Sequence, residues 1–549
     1  MTIAAISAVR ADTGAGRDKF TDLLHAEWTK FRTVRGWVTG MILAALLTVF
    51  VGLFAAGNHN IGCQLNGGAP KSGKACLPYI PHGPGGEVVT DSFNFAHQPL
   101  TGSGSITARV VSLTGAHPKF NGPEQVGQVP TMTPGLSPWS KAGIIVTAST
   151  QQGSAYAAML VTGTHGVRMQ DDYTRDLAGL PGNVTAAQPR WLRLTRSGDT
   201  ITGYDSADGR RWTQVGTAHL TGLPKTVQIG MFATSPNYMV TQTSFGGSTG
   251  QTGPSQATGV FDDVSLSGGT AGGTWIDSAV GGGGPVNQNG PAGPPGPRSG
   301  TGSAGFTQAD ATFTVTGSGD IVPVVPGPTS TLPTATIEQS LAGVFIGLIA
   351  IVVVAAMFFT AEYRRGLIRT TLAAAPRRGQ VLAAKAVVIG AVAFVAGLVA
   401  SVVAITVGVP MEQNQGQVVL PVSALTETRV IVGTAALVAV AAIFAVAMGA
   451  VVRRSAAAIT VVIVAVVLPF LLAAVNVFPS GVSAWLLRLT PAAGLAIQQS
   501  IPNYPQVTTT TSPAGGYYPL SPFAGFAVLC CWAAAALILA LVLFRRRDA

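Results

Sequence analysis

The stretch Gly68-Ala69-Pro70-Lys71-Ser72-Gly73-Lys74-Ala75 comes close to a phosphate-binding loop. Such a loop cradles phosphates with backbone N–H groups and needs Ser or Thr after its lysine to hold Mg²⁺. Ala75 stands there instead, no strand-like run precedes it, and Pro78 blocks a long following helix. The expectation is that this chain binds no nucleotide and has no catalytic residues. The seven histidines are scattered and form no zinc-binding pattern, so no metal site is expected. Asp171, Asp172 and Asp176 crowd one segment. They fit Ca²⁺ or a sugar, or else a solvated acidic turn. Trp191, Tyr204 and Trp212 are candidates for carbohydrate contact by stacking, or else core aromatics. No carboxylate pair for glycoside cleavage stands out. Cys63 and Cys76 flank a short loop and are expected to form a disulfide in an oxidising compartment. The adjacent Cys530 and Cys531 read as small packing residues.

Six apolar runs must position whatever these residues do. They are 37–56, 341–360, 386–409, 430–452, 455–475 and 523–544, with no charge inside any of them. About 20 apolar residues suffice to cross a bilayer as a helix. Only 10% of residues are charged and 47% are hydrophobic, and six such runs would leave a soluble fold no water-facing side. The first run could be mistaken for a signal peptide, but its 36-residue leader and long core argue against cleavage.

The net charge of +10 would suggest nucleic acid if it were spread evenly, and it is not. Residues 1–36 carry six Lys/Arg against four acids, and 361–385 carry six against one. Arg453 and Arg454 stand unopposed, and Arg545, Arg546 and Arg547 face only Asp548. Residues 57–338 hold 14 Lys/Arg and 15 acids. Positive loops stay in the cytoplasm, so both termini are expected there and 57–338 outside. No nucleic-acid partner is expected.

Within 57–338, residues 88–266 alternate or run apolar over strand lengths, as in 105–113, 142–149, 191–196 and 226–232. Ser197-Gly198-Asp199 and Ser206-Ala207-Asp208-Gly209 supply turn chemistry between strands. An all-β sandwich or jelly roll is expected, inserted between helices 1 and 2 of an α-helical, six-span membrane protein. Residues 267–335 are Gly/Pro-rich and read as a linker, with one added strand at 311–316. Residues 478–522 read as an interfacial or re-entrant segment, with Tyr504, Tyr517 and Tyr518 near lipid headgroups.

The spans contain almost no ionisable residues, which argues against ion-coupled transport. Energy would then arrive from a partner on the cytoplasmic face. Two elements could dock it: an amphipathic helix at 20–34, whose apolar positions Phe20, Leu23, Leu24, Trp28 and Phe31 recur at helical spacing, and the loop 362–378.

Glu27-Trp28-Thr29-Lys30-Phe31-Arg32-Thr33-Val34-Arg35, directly before the first span, resembles the start of bacterial ABC-2 type transporter permeases. Glu362-Tyr363-Arg364-Arg365-Gly366-Leu367-Ile368-Arg369, then Pro376-Arg377-Arg378 and Ala384-Lys385, is similar to that family's loop after the second span. The resemblance covers roughly residues 1–56 and 340–549. It implies a permease subunit, an exporter in the plasma membrane, that works as a homodimer or heterodimer beside separate ABC ATPase subunits. The cofactors ATP and Mg would belong to that partner, with none bound here. It also implies an ATPase-coupling surface at Trp28, Lys30, Arg32, Arg35, Glu362, Tyr363, Arg364, Arg365, Gly366, Arg369, Arg377 and Arg378. The same arginines also suit contact with anionic membrane lipid.

The departure from the family is the insert. Trp191-Leu192-Arg193-Leu194, the turn through Trp212, and Gln228-Ile229-Gly230-Met231-Phe232 resemble concanavalin A-like (laminin G-like) sandwiches. That resemblance implies a possible cell-surface glycan partner. The alternative function is a membrane-anchored carbohydrate-binding or sensing surface protein, for which one anchor would suffice.

Overall fold

The computed structural model describes residues 20–58, 62–63, 71–77, 79–120, 131–244, 247–271, 273–281, 305–327, 332–364, 366, 378–475, 477–507 and 513–546. Nine α-helices are described: α1 Phe20–Thr33, α2 Arg35–Gly57, α3 Val344–Arg364, α4 Arg378–Asn414, α5 Ala424–Val452, α6 Ser455–Val466, α7 Leu468–Ala474, α8 Ser480–Leu489 and α9 Pro522–Arg546. Six helical stretches are long and apolar enough to cross a membrane, α6 and α7 together making one. Pro469 at the start of α7 accounts for the break after Val466.

The β-rich region lies N-terminal to most of the helices, and not between helices 1 and 2. Val34 is extended (φ −86°, ψ 96°) and splits the N-terminal helical stretch, so the region falls between α2 and α3. The helices also outrun the apolar runs. α4 is 37 residues long, so Lys385 and Glu412, which the apolar pattern leaves outside the span, belong to it.

α2 and α3 cross closely because small residues face each other. A Cβ on Gly343 or Gly347 would collide with Thr48, and one on Gly52 would meet the Ser340 carbonyl. Small residues at four-residue spacing let membrane helices approach where lipid supplies no hydrophobic drive.

The β region is two antiparallel sheets of eight strands each. Sheet one runs in the order 175–178, 167–171, 156–162, 141–147, 226–234, 93–101, with 270–271 and 276–280 on its last strand. Sheet two runs 213–219, 200–206, 190–197, 104–118, 256–267, 312–317, 305–309, with 132–134 added beside 104–118. Between them Ile144, Met159, Ile229 and Met231 meet Ile106, Leu192, Leu194 and Phe261, all buried. Strand 190–197 alternates as expected, with Leu192 and Leu194 inward and Arg193 and Thr195 partly exposed.

Strand 141–147 is buried on both faces. Its second face packs under Val89, Phe93, Tyr173 and Ile321. These residues sit on or beside the chain that leads into and out of the sandwich, where strand 89–91 pairs with 321–323. The linker reading of 267–335 therefore gives way at its flanks. Strand 276–280 extends sheet one and 305–317 extends sheet two. Residues 282–304, with their Gly/Pro runs, lie outside the described residues.

Candidate functional site

The six spans alternate in direction, so all the basic termini gather at the end of the bundle away from the sandwich. There α1, α3 and α4 are joined by four charged residues. Lys385 on α4 is fully buried, and its Nζ donates to Glu362 Oε1 (2.7 Å) and to Glu27 Oε2 (2.8 Å). Lys30 Nζ donates to Glu362 Oε1 (2.6 Å) and Glu27 Oε1 (3.1 Å). Burial lowers the Lys30 pKa, but the hydrogen bond and charge of Glu362 and the charge of Glu27 outweigh it and hold the amine above its ordinary value. Two cations thus share two carboxylates, which is what lets four charges leave water together.

Aromatic rings close around this cluster. Phe358 lies under Lys385 Nζ (5.0 Å) and meets Phe31 and Trp37 edge-on at 6.0 and 5.8 Å. One turn further along α3, Tyr363 takes the Arg453 guanidinium over its ring at 5.1 Å. Arg453 caps α5 in a left-handed conformation (φ 59°).

Of the residues singled out in the sequence, Lys30, Glu362 and Tyr363 come together here. Trp28 stacks on Phe31 (6.2 Å) but is 44% exposed, and Arg32 and Arg35 are exposed. Gly366 is exposed in a turn, and Arg378 opens α4. Arg364 ends α3; Arg365, Arg369 and Arg377 lie outside the described residues. Sequence reasoning missed Glu27 as a buried partner, because periodicity placed only apolar residues on the inward face of α1. Glu27 and Phe31 are the two buried residues of that helix. A carboxylate four residues before a buried phenylalanine, facing a lysine just inside a span, was the available signal.

The opposite end of the bundle holds a second polar group that hydropathy hid. Glu412 on α4 is 2% exposed and accepts from Ser340 Oγ at 3.0 Å. Glu338 accepts from the backbone N–H and hydroxyl of Ser500, and Arg429 Nη2 donates to the Gln499 carbonyl at 2.6 Å. Tyr517 and Tyr518, expected near headgroups, are 3% and 8% exposed and pack inside the protein. Tyr517 joins Val88, Val324, Val418 and Ile501 where bundle and sandwich meet.

Nothing in the sandwich gathers into a metal centre: among the described residues no group of three or more His, Cys, Asp or Glu is placed to hold an ion. Asp176 is bound by Arg168 and Gln170, Asp172 accepts from the Tyr156 N–H, and Asp171 faces Arg175. Burial pushes Asp171 up to about 6, against the pull of Arg175. Asp91, deeper under sheet one, also rises to about 6 through burial, opposed by hydrogen bonds from the Tyr173 hydroxyl (2.7 Å) and the Gly153 N–H (2.9 Å).

Trp191, Tyr204 and Trp212 lie on the solvent side of sheet two, each half-buried. Arg193 covers the Trp212 ring at 3.9 Å, and Arg109 approaches Trp191 at 5.7 Å. A Cβ on Gly209 (φ +71°) would come within 2.7 Å of Trp191, so that turn packs on the indole. Cys76 is disulfide-bonded, and Cys530 and Cys531 are free. Lys71 and Ser72 form a short strand and Gly73–Cys76 a 3₁₀ turn; the rest of the near phosphate loop, 68–70, lies outside the described residues.

Six apolar spanning helices with basic ends define a polytopic membrane protein. Residues 198–549 match the ABC-2 family transporter proteins, more than half of the chain, and the chain belongs to that family. The match begins inside the sandwich, at the turn after Ser197. No curated protein matches. Among solved structures, the GH43 protein BlXynB from Bacillus licheniformis is similar at 14% identity over 24% of this chain, with a TM-score of 0.17. This chain spans only 24% of the length of that protein. Scytalido-glutamic peptidase with a transition state analog inhibitor is 9% identical over 43% of this chain and all of its own, at a TM-score of 0.22. A functionally unknown protein from Saccharomyces cerevisiae is 16% identical, with 36% of this chain and 84% of that one covered and a TM-score of 0.19.

Proposed function

We propose that this chain is the permease subunit of an ATP-binding cassette exporter in a bacterial plasma membrane, driven by a separate ATPase that holds the ATP and Mg²⁺. The termini face the cytoplasm and the sandwich faces outward. Two permease subunits pair, as identical copies or with a related second chain. The observation that carries the reading is the four-charge cluster, which ties α1 to α3 and α4 beside the segment 362–378. A push on α1 or on that segment is transmitted to two spanning helices at once, because the ion pairs are buried and cannot slip through water. Lys30, Glu362 and Tyr363 then position the coupling surface, Trp28, Arg32, Arg35 and Gly366 are exposed beside it and Arg378 is half-buried; Arg364, Arg365, Arg369 and Arg377 are assigned to it by the resemblance.

The sandwich meets cargo or cell-surface glycan. Its solvent-side sheet two is the face available for this, since the far face of sheet one is covered by the chain itself. Any ring stacking at Trp212 requires Arg193 to move aside.

The test is to co-express the chain with candidate ATPases bearing a complete phosphate loop, reconstitute the complex, and replace the exposed Arg32 and Arg35 together by Ala. ATP hydrolysis is expected to continue while transport stops. Transport at the unaltered rate, or transport by this polypeptide alone, overturns the reading.

A further inference from the structure

A cavity of about 290 Å³ lies in the seam between the arm that enters the sandwich and the sandwich-side end of α4. Three segments build it: the loop after α2, the arm 80–88 leading into the sandwich, and the link 413–421 between α4 and α5. Its volume is near the lower bound for small-ligand pockets, about 300 Å³.

The walls are held in place. Gly73 (φ +64°) and Gly416 (φ +88°) pack backbone to backbone, and a Cβ on Gly416 would fall 2.8 Å from the Gly73 carbonyl oxygen. The disulfide at Cys76 anchors the same loop. Val418 and Val419 are fixed by a parallel pairing with Thr334 and Ala335.

The chemistry of the lining is divided. Leu77, Ile80, Val88, Val418 and Val419 make an apolar floor. Lys74, His82 and Gln413 stand exposed at the rim, and no carboxylate lines the cavity. Among the described residues no acid forms an ion pair with Lys74. The surroundings are those of a membrane surface: Phe50 and Phe54 on α2 are 66% and 64% exposed, and Tyr79 beside the cavity is 73% exposed. An exposed tyrosine suits the headgroup layer, and exposed phenylalanines on the apolar span α2 suit contact with lipid chains.

We propose that this cavity holds an anionic phospholipid drawn from the sandwich-side leaflet, with acyl or glycerol carbons on the valine floor and the headgroup phosphate at Lys74. The inference goes beyond the permease assignment and does not depend on the direction of transport or on the ATPase. Bound there, the lipid extends the contact that Val88 and Val418 already make between the sandwich arm and the α4–α5 link.

The test uses the full-length chain in nanodiscs doped with diazirine-bearing phosphatidylglycerol or, separately, diazirine-bearing phosphatidylcholine. Phosphatidylglycerol is expected to label peptides spanning 77–88 and 417–421 preferentially. Lys74→Ala should cut that labelling about five-fold, the scale of one cation at a charged membrane surface, and Lys74→Arg should restore it. Val419→Trp, which fills the floor, should abolish it, while labelling along the lipid-facing side of α2 stays constant as the control for folding and insertion. Equal labelling by the two lipids, unchanged labelling in Lys74→Ala, or labelling confined to the spans overturns the proposal.

Discussion

Lys385 Nζ sits 2.7 Å from Glu362 Oε1, and the two residues lie on different spanning helices. Lys385 is shared with Glu27 and Glu362 with Lys30, so no single residue can be removed without leaving an unbalanced charge. Truncating one partner of a buried ion pair typically costs about 3–5 kcal/mol, because the other charge stays buried. Lys385→Ala or Glu362→Ala should therefore reduce folded protein in the membrane, read as the monodisperse fraction after mild detergent extraction. The swap of Lys385→Glu with Glu362→Lys should recover part of that loss, while Lys30→Ala, at a residue with 37% of its side chain exposed, should cost less. Equal losses for Lys30→Ala and Lys385→Ala would refute the shared-cluster account.

The acid dependence of the sandwich follows from Asp91. Its folded pKa is raised to about 6 from an ordinary 3.8, so in that interval the folded state holds a proton that the unfolded state has released. Stability contributed by the protonated carboxyl is present at low pH and falls as pH rises toward 6, by roughly 2–3 kcal/mol in all. Asp171 moves in the same direction. Thermal unfolding followed by tryptophan fluorescence should give a higher midpoint at mildly acidic than at neutral pH. Asp91→Asn, which can still accept from Tyr173 and Gly153, should flatten the difference and raise the neutral midpoint. A wild-type midpoint that climbs steadily with pH over this interval would contradict the argument.

Gly347 marks the closest approach of α2 and α3. Its Cβ position is occupied by Thr48, and Thr48 Oγ1 is itself bonded back to the Ala44 carbonyl at 2.9 Å. Gly347→Leu should separate the helices, whereas Gly481→Leu, at a glycine with open space around its Cβ position, should be tolerated. Cysteine crosslinking between the two helices reports the separation directly.

Arg193 bridges two strands and a ring. Its Nε donates to Thr107 Oγ1 at 3.0 Å while the guanidinium covers Trp212. Arg193→Ala should cost on the order of 1 kcal/mol of sandwich stability and increase quenching of Trp212 by acrylamide. If quenching is unchanged, the stacked arrangement does not persist in solution.

How much of this could be read from the residues alone varies with the kind of signal. The six apolar runs are visible because lipid demands continuous hydrophobicity, and the run from Trp191 to Thr195 shows its strand because one face is wet. Strand 141–147 is legible as the apolar run 142–149, but because both its faces are covered no alternation tells which side meets the second sheet. The sequence reading finds the strand at 311–316 but takes 276–280 and 305–309 as linker, because composition averages over short strands that borrow their partners from far away. Lys30 and Glu362, which the resemblance singles out, are joined by Glu27, which it does not, since a helical pattern counts apolar positions and is blind to an acid whose counter-ion lies 358 residues along the chain. Glu412 was lost for a related reason, lying two residues past Pro410 inside a helix that continues through the proline.

The short parallel ladder between Thr334–Ala335 and Val418–Val419 has a mechanical meaning. Together with Gln506, whose side-chain amide donates to the Tyr173 carbonyl at 2.8 Å, it gives the sandwich two footholds on the bundle besides its covalent tethers at α2 and α3. A head fastened this way turns with α4 instead of swinging on a leash. A fluorophore pair placed on sheet two and on the bundle would then register helix tilt as a change in orientation.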